Sequence, residues 1–138
     1  YLAAMEQMGH DPCVVQAKGD GWAFEEIGRQ AGIAALNSNQ FATNTVLCSN
    51  DRLAIGFLTA CYEKNLRVGR HSDCQIRVAG QDDHPFARFT SPPLTTIAQD
   101  YDAISRHAVE TLFGAIDGES RAHETKLFEG TLVMRESA

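Results

Sequence analysis

The sequence predicts an α/β fold built on a parallel sheet with flanking helices. Three observations point there. Short apolar runs of strand type alternate with stretches whose apolar residues recur at helical spacing. Residue types that cap or stop helices stand at the junctions between them. Polar clusters follow the strand-like runs, at Ser49-Asn50-Asp51, Gly80-Gln81-Asp82-Asp83 and Gln99-Asp100.

Taken in order, residues 1–8 are good helix material, and Gly9 suits the C-terminus of that helix. Residues 12–17, with Val14 and Val15, read as a short strand. Asp20 is placed to cap a helix over 22–36, where Phe24, Ile27, Ala31, Ala34 and Ala35 keep helical spacing. Residues 37–44 are polar turn material, and 45–48 form a short buried strand. Ser49 or Asn50 caps the next helix, 52–64, whose Leu53, Phe57, Leu58, Cys61 and Tyr62 share a face. A strand over 74–79 ends at Gly80, and a loop with three prolines runs to Pro93. Residues 94–98 return as a strand. Asp100 then caps a helix over 101–116, with Ile104, Ala108, Leu112 and Ile116 on one stripe and Gly118 as its stop. The tail, 125–134, reads as extended, and the chain holds no internal repeat.

A length of 138 residues suits one domain, and 43% apolar with 22% charged residues excludes the disordered class. No apolar run approaches the roughly 20 residues of a membrane helix. Residues 1–8 include Glu6 and lack a basic opening, so they do not read as a signal peptide, and without a leading Met an upstream segment is expected. A net charge of −6 with no Lys/Arg cluster argues against a direct grip on nucleic acid. The cysteines at 13, 48, 61 and 74 form no Cys-x-x-Cys pair, which excludes the structural zinc pattern. Cys48 and Cys61 sit in apolar surroundings, so buried free thiols are expected ahead of a disulfide or a metal role. Neither a nucleophile elbow nor a glycine-rich phosphate loop is present, so no catalytic residue and no cofactor is expected.

In parallel sheets ligands sit beyond the carboxyl ends of the strands, and the three polar clusters follow such ends. Asn, Gln and Asp there match the donors and acceptors of a hydroxyl-rich ligand. Trp22, the only tryptophan, offers a face to the C–H side of a sugar ring or to a flat base; the competing reading is a helix-start staple in the core. Asn50 serves as an N-cap, with or without a ligand. Asp82 and Asp83, beside His84 and together with Asp51, leave an acidic metal pocket open as an alternative. Phe86 and Phe89 in a proline-rich loop fit either an interface or packing beneath the loop.

Three stretches carry a family resemblance, and so does the ending. Val46-Leu47-Cys48-Ser49-Asn50-Asp51-Arg52-Leu53-Ala54-Ile55-Gly56 resembles a strand, an Asn-Asp pair and an Ala-x-Gly helix of the lactose-repressor (LacI/GalR) regulators. Val78-Ala79-Gly80-Gln81-Asp82-Asp83 resembles their Val-x-Gly-Phe/Tyr-Asp-Asp, with Gln81 departing from the aromatic. Pro92-Pro93-Leu94-Thr95-Thr96-Ile97-Ala98-Gln99 resembles their Pro-x-Leu-Thr-Thr-Ile/Val-x-Gln. Leu132-Val133-Met134-Arg135-Glu136-Ser137 resembles their Leu-Val-x-Arg-x-Ser.

The resemblance implies a periplasmic-binding-protein-like (type I) fold, of which this chain is an incomplete fragment. Two lobes joined by three crossovers would hold an effector in their cleft. Residues 1–97 would be most of the C-terminal lobe, 98–124 a crossover and a helix of the N-terminal lobe, and 125–138 a tail crossing back. The DNA-binding helix-turn-helix, most of the first lobe and the opening strand of the second would be missing. Trp22, Asn50 and Asp82 would contact the effector, with Asp83 facing away and Asp51 structural. Gln99 would touch ligand or only the hinge, and Tyr101 would line the cleft from the far lobe. Ile55, Thr59, Phe86, Phe89 and Thr90 would form a homodimer surface. The implied function is a cytoplasmic, allosteric transcriptional regulator that binds a sugar or sugar derivative and reaches operator DNA only through the missing domain. No membrane, metal or enzymatic role is expected. The alternative is a periplasmic sugar-binding protein of a transporter, which shares the two-lobe fold.

On this reading the chain alone leaves Ile104, Leu112 and Ile116 without their sheet. Burial of each such side chain stabilises by roughly 1.5–3 kcal/mol, so losing several outweighs a marginal fold. The 138-residue chain by itself is therefore expected to show no cooperative thermal transition as a monomer. A sharp calorimetric melt at a monomer's sedimentation coefficient would contradict this.

Overall fold

A computed structural model describes residues 1–118 and 125–138 of the chain. Residues 119–124, the last part of the segment 98–124 expected in the far lobe, lie outside the described residues. Strand β1 (Thr45–Leu47) and strand β2 (Arg77–Ala79) pair in parallel, with Val46 opposite Val78. Isolated parallel bridges tie Ile76 to Val68 and Ala79 to Thr95, both at the β2 segment. Strand β3 (Thr96–Ala98) pairs with strand β4 (Thr131–Val133), but antiparallel, with Ile97 opposite Leu132. The sheet expectation thus holds for the central strands, while the returning tail runs against its neighbour.

Four α-helices and one short 3-10 helix (Ala87–Phe89) accompany the strands among the described residues; the α-helices are α1 (Leu2–Gln7), α2 (Phe24–Asn37), α3 (Asp51–Glu63) and α4 (Tyr101–Ile116). Asn50 caps α3, its side-chain oxygen accepting the Leu53 N–H at 2.8 Å. Asp100 caps α4 in the same way, accepting from the Ala103 N–H at 2.9 Å. Three expectations need correction. Strand β1 is not buried as expected: Thr45 and Leu47 are exposed and Val46 is half-buried. Helix α2 begins at Phe24, after Gly21 at φ +83°, and its N-cap Ala23 makes no side-chain bond, so Asp20 does not cap it. Residues 12–17 form no strand. A strand needs a neighbour to complete its backbone ladder, and β-branched residues alone do not supply one. Val14 is exposed, and Cys13 is tied to the Tyr1 hydroxyl (3.1 Å) and, through its thiol, to the Gln40 carbonyl oxygen (3.2 Å).

The core lies between α3 and the β1–β2 sheet: Ala54, Phe57, Leu58 and Cys61 pack with Ile76, Val78, Ala87 and Leu94. All four cysteines are free thiols. Cys61 is buried and Cys48 half-buried, and burial pushes both thiols up to about 12, with Cys61 and Asp51 adding to the effect at Cys48. Helices α2 and α3 touch through glycine. A Cβ on Gly28 would collide with the Leu53 carbonyl oxygen, and one on Gly56 with the Glu25 carbonyl oxygen. This contact lets the two helices run side by side, with Arg52 bonded to Glu25 near their starts and Arg29 to Glu63 farther along.

The C-terminus straps the sheet. Ser137 is buried; its hydroxyl donates to the Val78 carbonyl oxygen at 2.6 Å and accepts the Thr95 N–H at 2.8 Å. Helix α4 stands apart from this core. Gly114 is its one buried residue, while Val109, Leu112, Phe113 and Ile116 are exposed.

Since backbone atoms cannot yield as a side chain can, Gly56→Ala is expected to destabilise the full-length protein by about 1–3 kcal/mol, the usual cost of overpacking. Urea unfolding measures this, and an unchanged midpoint would refute the tight contact.

Candidate functional site

The strand ends bring a polar rim together. At the end of β1, Asn50 is half-buried and spends its side-chain oxygen on the α3 cap. Asp51 beside it is buried, with Oδ1 accepting the Thr96 hydroxyl at 2.6 Å and Oδ2 accepting the His84 N–H at 2.7 Å. After β2, Asp82 and Asp83 take φ of +111° and +48°. Such conformations cost of order 1–3 kcal/mol each and persist only where surrounding contacts hold them. Asp83 faces Arg135, whose Nη2 donates to it at 2.6 Å while Nη1 donates to the Leu94 carbonyl oxygen at 2.7 Å.

Asp82 points elsewhere. Its Oδ1 accepts from the Gln99 side-chain amide at 2.9 Å, and the Tyr101 hydroxyl stands 3.5 Å from its carbonyl oxygen. Burial, and after it the Asp51 charge, pushes the Asp82 carboxyl above its ordinary range, against the opposing pull of Gln99 and His84. The same order of causes, burial and then Asp82 and Asp51, raises the Tyr101 phenol. Asp82, Gln99 and Tyr101 therefore form one contact group, with Asp51 within electrostatic reach.

Trp22 is 81% exposed, so it is no core staple. Its ring meets Phe24 edge-on, with centroids 5.8 Å apart, and the Arg52 guanidinium lies 5.2 Å over the Phe24 ring. Arg52 grips Glu25 through two bonds of 2.6 and 2.7 Å, which hold the Glu25 carboxyl below its ordinary range. Trp22 thus reaches the Asn50 end of α3 through Phe24 and Arg52. Two shallow hollows lie beside α4. One, of ≈ 200 Å³, is lined by Gln81, Gln99, Ile104 and Phe128 among others. The second, of ≈ 380 Å³, is lined by residues such as Asp102, Arg106 and Glu110. Trp22, Asn50 and Asp82 line neither. Among the described residues no group of three His, Cys, Asp or Glu side chains is disposed to hold a metal ion, including Asp51, Asp82 and His84.

On another face, Phe86 and Phe89 are exposed and do not pack beneath their loop. Ile55 is half-buried and Thr59 exposed. Thr90 turns inward, its hydroxyl donating to the carbonyl oxygens of Ala87 (3.0 Å) and Pro92 (2.7 Å). Sequence reasoning singled out neither Thr96 nor Arg135. A threonine in a buried strand gives no sign of what its hydroxyl meets, and Arg135 entered only as part of an ending motif.

The periplasmic binding protein-like domain family matches the chain over residues 1–138. The chain belongs to this family. Within the periplasmic binding protein-like domains it resembles the ribose operon repressor of Haemophilus influenzae, 33% identical over 114 residues that make up 83% of this chain and 33% of that protein. It also resembles the HTH-type transcriptional repressor PurR of Histophilus somni, 38% identical over 118 residues, or 86% of this chain and 34% of that one. The chain thus spans about a third of these curated relatives. Among solved structures, the Lac repressor dimer bound to operator and the anti-inducer ONPF superimposes with a TM-score of 0.81 at 29% identity, over 98% of this chain and 44% of that one. A LacI-type transcription regulator from Bifidobacterium animalis subsp. lactis gives 0.81 at 28% identity, over 99% and 47%. The relatives carry the names of repressors and, in one case, of a LacI-type transcription regulator, in line with the motifs of the sequence; this supports a regulator over a transporter component.

The raised Asp82 carboxyl sets a sign for stability. The folded chain holds that proton more tightly than the unfolded one, so ionised Asp82 opposes folding above its raised pKa, and the penalty fades as pH falls through it. Asp82→Asn in the full-length protein is expected to raise Tm at about pH 7 and to lose that gain by about pH 3, below the ordinary aspartate value. Thermal melts at the two pH values check this; a lower Tm at neutral pH would contradict it.

Proposed function

We propose that this chain is the effector-binding segment of a cytoplasmic, LacI-type transcriptional regulator, and that it binds a sugar or sugar derivative without altering it. The observation that carries the reading is the Asp82–Gln99 contact at 2.9 Å, with Tyr101 beside it. It joins two strand ends into one polar rim, where a family of ligand-binding folds needs one. Asp82 accepts from effector hydroxyls, Asn50 adds its amide, and the exposed Trp22 covers the ring. Residues 1–97 belong to one lobe, 98–124 to the other, and 125–138 cross back. The missing lobe closes the site and covers the apolar face of α4. Phe86 and Phe89, with Ile55, Thr59 and Thr90, meet a second copy. Operator DNA is reached through a helix-turn-helix outside this chain, and no step is catalysed. Effector binding shifts the balance between lobe arrangements by its differential affinity for them.

The names of relatives supply the first probes: D-ribose, lactose and, because a purine-type name also occurs, hypoxanthine. The full-length protein is expected to melt higher with one of these; at a hundred times the dissociation constant the gain is roughly 2.7 kcal/mol. Trp22→Ala and Asp82→Asn should each abolish the shift. A full-length protein indifferent to all three and to a wider set of pentoses, hexoses and disaccharides would refute the reading.

A further inference from the structure

We propose that Asp51 and Thr96 are positioning residues of the site: together they clamp the turn that presents Asp82. Consecutive N–H groups of that turn are each given a fixed acceptor. Asp82 N–H donates to the Ile97 carbonyl oxygen at 2.8 Å. Asp83 N–H donates to the Thr96 hydroxyl at 3.3 Å, and His84 N–H to Asp51 Oδ2 at 2.7 Å. The Thr96 hydroxyl is the link, because it accepts from Asp83 and donates onward to Asp51 Oδ1 at 2.6 Å. Asp51 completes the ring through its own N–H, which donates to the Gln81 carbonyl oxygen at 2.8 Å. Gly80 leaves room for this, since a Cβ there would collide with Asp51 Oδ1.

The clamp holds a conformation that few residues adopt. Asp82 and Asp83 both sit at positive φ, which aspartate tolerates better than most side chains, though Asp82 at +111° lies outside the ordinary left-handed region. Without acceptors for its N–H groups the turn would relax towards ordinary backbone angles. The Asp82 carboxylate would then leave Gln99. Neither Asp51 (1% exposed) nor Thr96 (1% exposed) reaches the surface, so each acts through the turn and not by touching a ligand. Loss of Asp51 would also remove one of the causes that raise the Asp82 carboxyl.

The consequence for binding rests on Asp82 being an effector contact, and the test separates the two claims. In the full-length protein, Thr96→Val removes the hydroxyl at nearly constant volume, Thr96→Ser keeps it, and Asp51→Asn disturbs the acceptors. Amide exchange at Asp83 and His84 reads the turn, and the D-ribose dissociation constant reads the site. Thr96→Val is expected to speed exchange at those two amides by roughly tenfold, with the α3 core amides unchanged, and to weaken D-ribose binding by a similar factor. Thr96→Ser should restore both. Asp51→Asn should act in the same direction as Thr96→Val. Unchanged exchange at Asp83 and His84 in both Thr96→Val and Asp51→Asn overturns the clamp. So does exchange that quickens throughout the fold and not at the turn. A wild-type protein that ignores D-ribose, lactose, hypoxanthine and the wider sugar set removes the effector reading, while turn-specific exchange in Thr96→Val still upholds the clamp.

Discussion

A buried carboxylate is costly unless its lone pairs are met, and the architecture of this chain is arranged around meeting those of Asp51. The residue opens α3, where the helix N-terminus favours negative charge. From that position its two oxygens reach β3, through Thr96, and the turn after β2, through His84. One side chain therefore holds in register a helix start, a strand and a turn. The turn must carry positive φ at two aspartates to reach this arrangement. That strain is local: it lies in a half-buried turn and is held by the buried groups behind it.

Helix packing sets the rest of the rim. With Gly28 and Gly56 at the α2–α3 contact, the starts of the two helices come close enough for Arg52 to grip Glu25 and cover Phe24. A larger residue at either glycine would push the helices apart and pull Arg52 away from Glu25 and the Phe24 ring. Exposed ion pairs add little stability by themselves. Here the Arg52–Glu25 pair matters for where it places an aromatic edge beneath Trp22. The stability of the core and the geometry of the rim are thus consequences of one close contact.

Much of the fold was legible in the sequence because its signals were local. Asp100, an apolar stripe and Gly118 delimit α4, and the structure gives that helix the same bounds, 101–116. Asn50 was legible as a cap for the same reason. Residues 12–17 misled, since Val14 and Val15 state a preference that only a neighbouring strand can realise. The start of α2 misled because Gly21 at positive φ delays the helix past Asp20. Asp82 and Asn50 entered as candidate contacts through strand-end position and motif. Thr96 and Arg135 did not. Their roles lie in contacts across 45 and 52 positions of sequence, to Asp51 and Asp83, and composition does not record such distances.

The turn after β2 is also where the separate parts of the chain meet. Asp82 touches Gln99 and Tyr101, at the junction of β3 and α4, and Asp83 holds Arg135 at the start of the C-terminal strap. Adjacent residues in one strained turn thus face the outgoing and the returning connection respectively. On the regulator reading these connections are the crossovers between lobes. A ligand that takes the second carboxylate oxygen of Asp82 would then act on a turn already bonded to both. Side-chain contacts have few alternative arrangements in so constrained a turn, so on that reading occupancy of Asp82 would favour particular orientations of α4 and the strap. That is the differential interaction a population shift requires, and it needs no longer path through the protein.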